Sequence, residues 1–254
     1  MLRAVAAGLL VVSTAGLATA QLTGDCTTAI LNVANNRDAA ACLSVSSLVP
    51  LLSGDVPIVG PVSGWIDHVC PAPACSDDTL EAITANVTSG CATELNTFGI
   101  SPDAASAIAR VVQSVYPTLR EVLCLSDGDA NCVVQTLTNV QDMYGDLTPV
   151  NIYRILTSDD VTLPSNITCT DCTKGFYSTL APNIALVNED DAQARCGDDF
   201  TDHSMPSGIK QSASSEIATS AGGSNDAQSV MNLTRIGSLI AASLALASAS
   251  AFLS

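Results

Sequence analysis

Few residues in this chain are suited to moving protons. There are two histidines, His68 and His203, in 254 residues, and histidine is the commonest general base. No G-x-S-x-G, H-E-x-x-H, P-loop or Rossmann glycine pattern occurs, so no recognisable framework for acyl transfer, zinc hydrolysis or nucleotide chemistry is present. Cations are scarce as well: nine Lys and Arg stand against 25 Asp and Glu, a net charge of −16. Such a surface repels phosphate backbones and anionic lipid head groups, which excludes nucleic acid as a partner. Aromatic residues make up 4% of the chain, which counts against an exposed aromatic groove for polysaccharide. Strict alternation of apolar and polar residues is also rare, so strands are not a leading element.

What is present starts with the two ends. Arg3 precedes an apolar stretch over 4–17, and Ala18-Thr19-Ala20 places small side chains just before Gln21. This is the layout of a cleaved secretory signal over residues 1–20. At the other end, residues 236–253 are almost entirely apolar or small, and no Lys or Arg follows them. A polar spacer over 228–235 and a small-residue run over 220–227 precede that tail. Small residues, a polar spacer and an apolar tail compose a GPI-attachment signal. Gly222, Gly223, Ser224 and Asn225 are equivalent candidates for the attachment residue, and 226–254 is the propeptide that attachment discards. The alternative is a single membrane span without the basic cytoplasmic flank such spans usually carry. The expected address is the extracellular face of the plasma membrane or the cell wall, reached by the secretory pathway, with the membrane contacted through the anchor.

All ten cysteines lie between the two ends: Cys26, Cys42, Cys70, Cys75, Cys91, Cys124, Cys132, Cys169, Cys172 and Cys196. An even count in an oxidising compartment predicts up to five disulfides. Cys169-x-x-Cys172 lacks a second C-x-x-C, a histidine partner or a βαβ setting, which argues against zinc or thiol redox chemistry. A local Cys124–Cys132 loop is one definite pairing suggested by the residues. Two sequons, Asn86-Val87-Thr88 and Asn166-Ile167-Thr168, make Asn86 and Asn166 N-glycosylation candidates, and a third at Asn232 falls in the spacer.

Asp127-Gly128-Asp129-Ala130-Asn131 starts like a calcium loop, but Cys132 stands where that loop needs Gly and Thr138 where it needs Glu. A turn with Asn131 capping the next helix is the simpler account. The acidic residues Glu189 to Asp191, Asp198, Asp199 and Asp202 read as a solvated face. No catalytic, cofactor or metal residue is predicted.

Helical periodicity runs through the region between the ends. Leu80, Ile83, Val87, Cys91 and Leu95 mark one helix face, with Asp78 as its expected cap. Ile108, Val111, Val112 and Val115 mark another, entered at Ser101-Pro102-Asp103 and expected to break at Pro117. Val133, Leu137, Val140 and Tyr144 mark a third, ended by Gly145. Shorter helices are expected over 27–33, 38–48, 64–69 and 150–156, with one from 173 toward 187 disturbed by Pro182. The expected fold is all-α: a disulfide-stapled helical domain over 21–208. A Ser/Ala/Gly-rich stalk over 209–225 follows, carrying the attachment region.

Trp65-x4-Cys70-x4-Cys75-Ser76-Asp77, Arg120 to Leu125, Cys169-x-x-Cys172-x-Lys174 and Cys196-Gly197-x-x-Phe200-x4-Met205-Pro206-x-x-Ile209 resemble an uncharacterised family of fungal secreted or GPI-anchored cysteine-rich proteins. That resemblance implies a fungal cell surface and no activity. The order Cys26-x15-Cys42-x27-Cys70-x4-Cys75-x15-Cys91-x32-Cys124, with Cys26-Thr27-Thr28 at its start, resembles elicitins, helical sterol carriers secreted by oomycetes. It implies an elicitin-like first half in which Cys26 pairs with Cys91, Cys42 with Cys75 and Cys70 with Cys124. The last pair conflicts with a Cys124–Cys132 loop. The leading expectation is therefore a non-enzymatic surface protein with a structural, adhesive or recognition role toward the wall or a protein partner. A sterol or fatty-acid binder is the alternative, and a wall-polysaccharide hydrolase ranks third.

Overall fold

In a computed structural model of the chain, the residues described are 22–97, 99–157, 163–184 and 189–218. The expected signal, the candidates Gly222, Gly223, Ser224 and Asn225, and the apolar tail all lie outside them. The chain folds as a mostly helical domain with five disulfides. No helix among the described residues is long and apolar enough to cross a membrane.

The helices start where short polar side chains can take up free backbone N–H groups. Thr23 caps α1 (Gly24–Asn35), and Asn36 caps α2 (Arg37–Leu43). A 3-10 stretch, Val45–Ser53, leads to α3 (Val59–Val69). Ser76 caps α4 (Asp77–Gly90) by accepting from the Thr79 N–H at 3.3 Å, two residues before the expected Asp78. Short α5 (Ala92–Thr97) and a 3-10 turn, Pro102–Ala104, precede α6 (Ala105–Leu123). Asn131 accepts from the N–H groups of Val133 and Val134 and so opens α7 (Cys132–Tyr144), which Gly145 ends at φ 81°. Then come α8 (Pro149–Thr157), α9 (Ser165–Thr168), α10 (Asp171–Leu180) and α11 (Glu189–Cys196). Thr170 and Thr173 form a reciprocal cap on α10, which stops two residues before Pro182.

Two expectations about helices fail for physical reasons. Pro117 does not break α6, which runs unbroken through it. The turns on both sides are held by burial, with Ile108, Ala109 and Val111 before the proline and Thr118 and Arg120 after it. Burial of that extent offsets the roughly 3 kcal/mol that an interior proline costs. The buried side of α4 is also turned from the expected face: Thr79, Leu80, Thr84 and Thr88 are buried, while Ile83 and Val87 are half-buried. The Thr84 and Thr88 hydroxyls donate to the carbonyls of Leu80 and Thr84 at 2.8 and 2.7 Å. Satisfied in this way, a threonine packs much as valine does.

Helices α1 and α6 both pack on α4, and α10 packs on α6 and α7. Contact between α1 and α4 is close enough that a Cβ on Gly90 would lie 2.3 Å from the Ala29 Cβ. The disulfide Cys26–Cys91 fastens the same crossing, with its Cα atoms 4.2 Å apart. Cys42–Cys75 and Cys70–Cys124 complete the three pairs that the elicitin resemblance implies. Cys132 pairs with Cys172 and Cys169 with Cys196. The expected Cys124–Cys132 loop is therefore absent: those residues flank a tight hairpin, β1 (Leu125–Asp127) and β2 (Ala130–Asn131), and their sulfurs go to opposite neighbours. Asp127 and Asp129 belong to this hairpin and its turn.

The expected boundary at 208 also moves. Strand β3 (Ile209–Gln211) adds to β1 in antiparallel register, giving a sheet of order β2-β1-β3. Past it, Ser212 N–H donates to Cys124 O, Ser214 N–H to Cys70 O and Ala218 N–H to Ala74 O, and Glu216 O accepts from Ala74 N–H. Residues 209–218 thus form a strap bound to the domain. Its backbone groups meet free carbonyls and N–H groups at the helix ends, a pairing that leaves no trace in side-chain composition. Three of its side chains enter three separate apolar clusters. Ile209 joins Leu125, Cys132 and Cys172; Ala213 joins Ile66, Val69 and Cys124; Ala218 joins Cys42, Cys75 and Leu80.

Candidate functional site

Among the described residues, two clefts and one polar cluster bring together side chains with chemistry. The first cleft, about 230 Å³, lies between α1, α2 and α4, with Asn32, Asn36, Asp38, Asp78 and Asn86 on its walls and Val33 and Ile83 below. The second, about 340 Å³, is formed by Asn139, Asp142, Met143, Asn166 and Ile167. Small-molecule sites are mainly apolar with few polar groups; both clefts have the reverse balance. A sterol placed in either would strip water from amides and carboxylates without replacing their hydrogen bonds.

The polar cluster joins α10 to the segment after α11. Lys174 Nζ lies 2.9 Å from Asp202 Oδ1, and it donates to Ser204 Oγ at 3.2 Å. Ser204 donates from its backbone N–H and its hydroxyl to Asp202 at 2.8 and 2.7 Å. Hydrogen bonds from Lys174 and from Ser204 hold the Asp202 carboxyl down at about 2. A carboxylate that weak as a base does not take a serine proton near neutrality. Between them, His203 adopts φ 58° and stacks on Tyr177 at 5.4 Å, and Tyr177 also meets Phe200 at 5.8 Å. Burial, with a smaller push from Glu189, raises the Tyr177 hydroxyl above its usual range. The arrangement latches the loop after Cys196 onto α10.

The other chemistry-bearing residues are apart. His68 is exposed, and its Nδ1 lies 2.6 Å from the Gly64 carbonyl one turn back. Cys169 and Cys172 belong to different disulfides. Among the described residues, one grouping has metal-ligand types close together, Cys26, Cys91 and Glu94. Its two sulfurs are bonded to each other, so they are not thiolate ligands. Glu94 Oε1 instead accepts from the Thr23 N–H at 2.6 Å, and this backbone bond lowers its carboxyl against a smaller opposing effect of burial. The predicted glycosylation residues Asn86 and Asn166 are both exposed, one at the edge of each cleft.

Sequence reasoning missed the Lys174–Asp202–Ser204 latch and the role of Arg120. Arg120 is 4% exposed and donates to the carbonyls of Val69 and Cys70 at 3.0 and 3.2 Å and to those of Ala72 and Ser214. No periodicity in the sequence points to it, because Arg120 stands about 140° around the helix from Val115, off the apolar stripe. Trp65 donates from Nε1 to the Leu43 carbonyl at 2.5 Å, tying α3 to α2. Trp65 and Arg120, two of the residues that carried the fungal-family resemblance, therefore act as internal fasteners. No family model matches the chain, and no curated protein or solved structure is significantly similar to it.

Proposed function

We propose that this protein is a non-enzymatic module displayed at the outer cell surface on a GPI anchor, with a structural, adhesive or recognition role in the cell wall or toward a protein partner. The observation that carries the reading is the state of the thiols: all ten are in disulfides and no cysteine is free. Structural disulfides of this density belong to oxidising compartments. The acidic surface and the exposed sequon asparagines support the same address. The strap runs to residue 218, shortly before the candidate attachment residues Gly222, Gly223, Ser224 and Asn225.

Treating intact cells that express the full chain with phosphatidylinositol-specific phospholipase C is expected to release it into the medium. Retention after treatment would overturn the anchor in favour of a membrane span. A second reading, a sterol or fatty-acid carrier, draws on the three elicitin-type disulfides. The polar clefts give it nothing to hold a sterol with, and organic extraction of the purified protein is expected to yield no stoichiometric lipid. One lipid per chain would reverse that ranking.

A further inference from the structure

Both sequons among the described residues split their two recognition residues across a helix. A helix turns about 100° per residue, so positions two apart stand on opposite sides of the axis. In α4, Asn86 is exposed on the face it shares with Asp78, Glu81, Ala82 and Ala85. Thr88 is 4% exposed, its hydroxyl turned inward to Thr84 O at 2.7 Å. The second sequon repeats this: Asn166 is exposed in α9, and Thr168 is 1% exposed with its hydroxyl on Pro164 O at 3.3 Å. An extended chain puts positions i and i+2 on one side. The acceptor triplet is read through the asparagine amide together with the hydroxyl two residues on. That pair can be presented together only while the triplet is not helical.

We propose that Asn86 and Asn166 carry N-linked glycans added before their helices form, and that the folded domain is no longer an acceptor. The inference rests on the surface reading above for its supply of sugar donor. In the transfer, the asparagine Nδ2 forms a C–N bond to the anomeric carbon of an oligosaccharide held on a polyprenyl diphosphate. The anomeric C–O bond breaks, the polyprenyl diphosphate leaves with the electron pair, and the amide releases one proton. No redox partner is needed. Disulfides then close the door behind each site. Cys91 pins the end of α4 to Cys26, and Cys169, next to Thr168, bonds Cys196 further along the chain. Folding leaves room for both sugars, because each asparagine stands beside an open cleft whose amides and carboxylates suit the hydroxyls of a first sugar.

Intact-mass measurement of the secreted full chain tests the sites: N86Q and N166Q should each remove one glycan mass step, and the double variant both. Secreted wild-type chain without a glycan on either residue overturns the proposal. The order is tested on full chain secreted from tunicamycin-treated cells, or from a bacterial periplasm if that drug stops secretion. This oxidised, glycan-free protein is offered to microsomal oligosaccharyltransferase with its lipid-linked donor, beside the same protein reduced and alkylated. The reduced chain should be modified at Asn86 and Asn166 at least tenfold more than the oxidised one, and equal modification at those two residues overturns the order. A chain that stays in the cytosol with residues 1–20 intact defeats the surface reading and natural glycosylation together. Even then, the oxidised-against-reduced comparison decides the geometric claim separately.

Discussion

Arg120 lies where α3 ends, α6 passes and the strap crosses. Its guanidinium faces the carbonyl end of α3, where a cation is favoured by the helix dipole, and its planar fork reaches several carbonyls at once. Replacing it by methionine leaves buried acceptors without donors, and the expected loss is about 3 kcal/mol of stability by denaturant unfolding under non-reducing conditions. Arg120→Lys should recover only part of it, because an ammonium is a point donor. Asp202 gives a prediction about acid. Its folded carboxyl sits at about 2, below the usual aspartate value, so its contribution is complete above the unfolded value near 3.8 and is lost as pH falls through 2. NMR titration should place the Asp202 carboxyl midpoint near 2. Hydrogen exchange in residues 198–204 should rise over that window, and the Asp202→Asn variant should show the faster exchange already at neutral pH.

At the level of elements, tight contacts and caps decide what the sequence made readable. Asn131 and Gly145 announced the limits of α7 because a cap is a local side-chain event. The face of α4 was misread because Thr84 and Thr88 look polar in a sequence and become apolar in effect once their hydroxyls bond to their own helix. Pro117 was misread because its penalty is local, whereas the burial that offsets it comes from other elements. The α1–α4 crossing was legible only through the Cys26–Cys91 pair that the elicitin resemblance implies, and its closeness at Gly90 was not. Its prediction is definite: Gly90→Ala drives a methyl into Ala29, and since both are on packed helices the overpacking should cost about 1–3 kcal/mol. Thermal unfolding of the oxidised protein measures it, and an unchanged midpoint would show that the helices separate freely despite Cys26–Cys91.

For the molecule as a whole, the five disulfides and the strap share the task of joining the separate small apolar clusters of the described residues. The cysteine count made the disulfides legible, and the first three pairs followed from resemblance to elicitins, but Cys132–Cys172 and Cys169–Cys196 depend on where α10 packs. The strap was illegible, because its Ser- and Ala-rich composition matches a linker and its work is done by backbone groups. The same holds for the site: the sequon triplets could be read directly, whereas the Lys174–Asp202–Ser204 latch joins residues far apart in the chain. Ending the protein after residue 218 should leave its unfolding midpoint unchanged, while ending it after 208 should lower the midpoint in guanidinium and expose Arg120. Losing Ile209 alone removes roughly 2 kcal/mol of burial, before the strap's backbone bonds are counted. Equal midpoints for the two truncations would show that the strap is an accessory.

The strap also decides how the molecule meets tension. A pull applied at residue 218 first meets the bonds at Ala74, then the Ser214 bond beside Arg120, the Ser212 bond to Cys124, the β1–β3 pairing, and last the Lys174–Asp202–Ser204 latch. These bonds are met one after another, as in a zipper, so each yields at modest force. The peeling has a hard stop, since beyond the loop after Cys196 the load falls on a covalent bond to Cys169. Between the first yield and that stop, the chain from 197 to 218 can pay out roughly 75 Å at full extension. The body held behind five cross-links would keep its shape throughout, so the strap would act as a shock absorber for a load applied at its end.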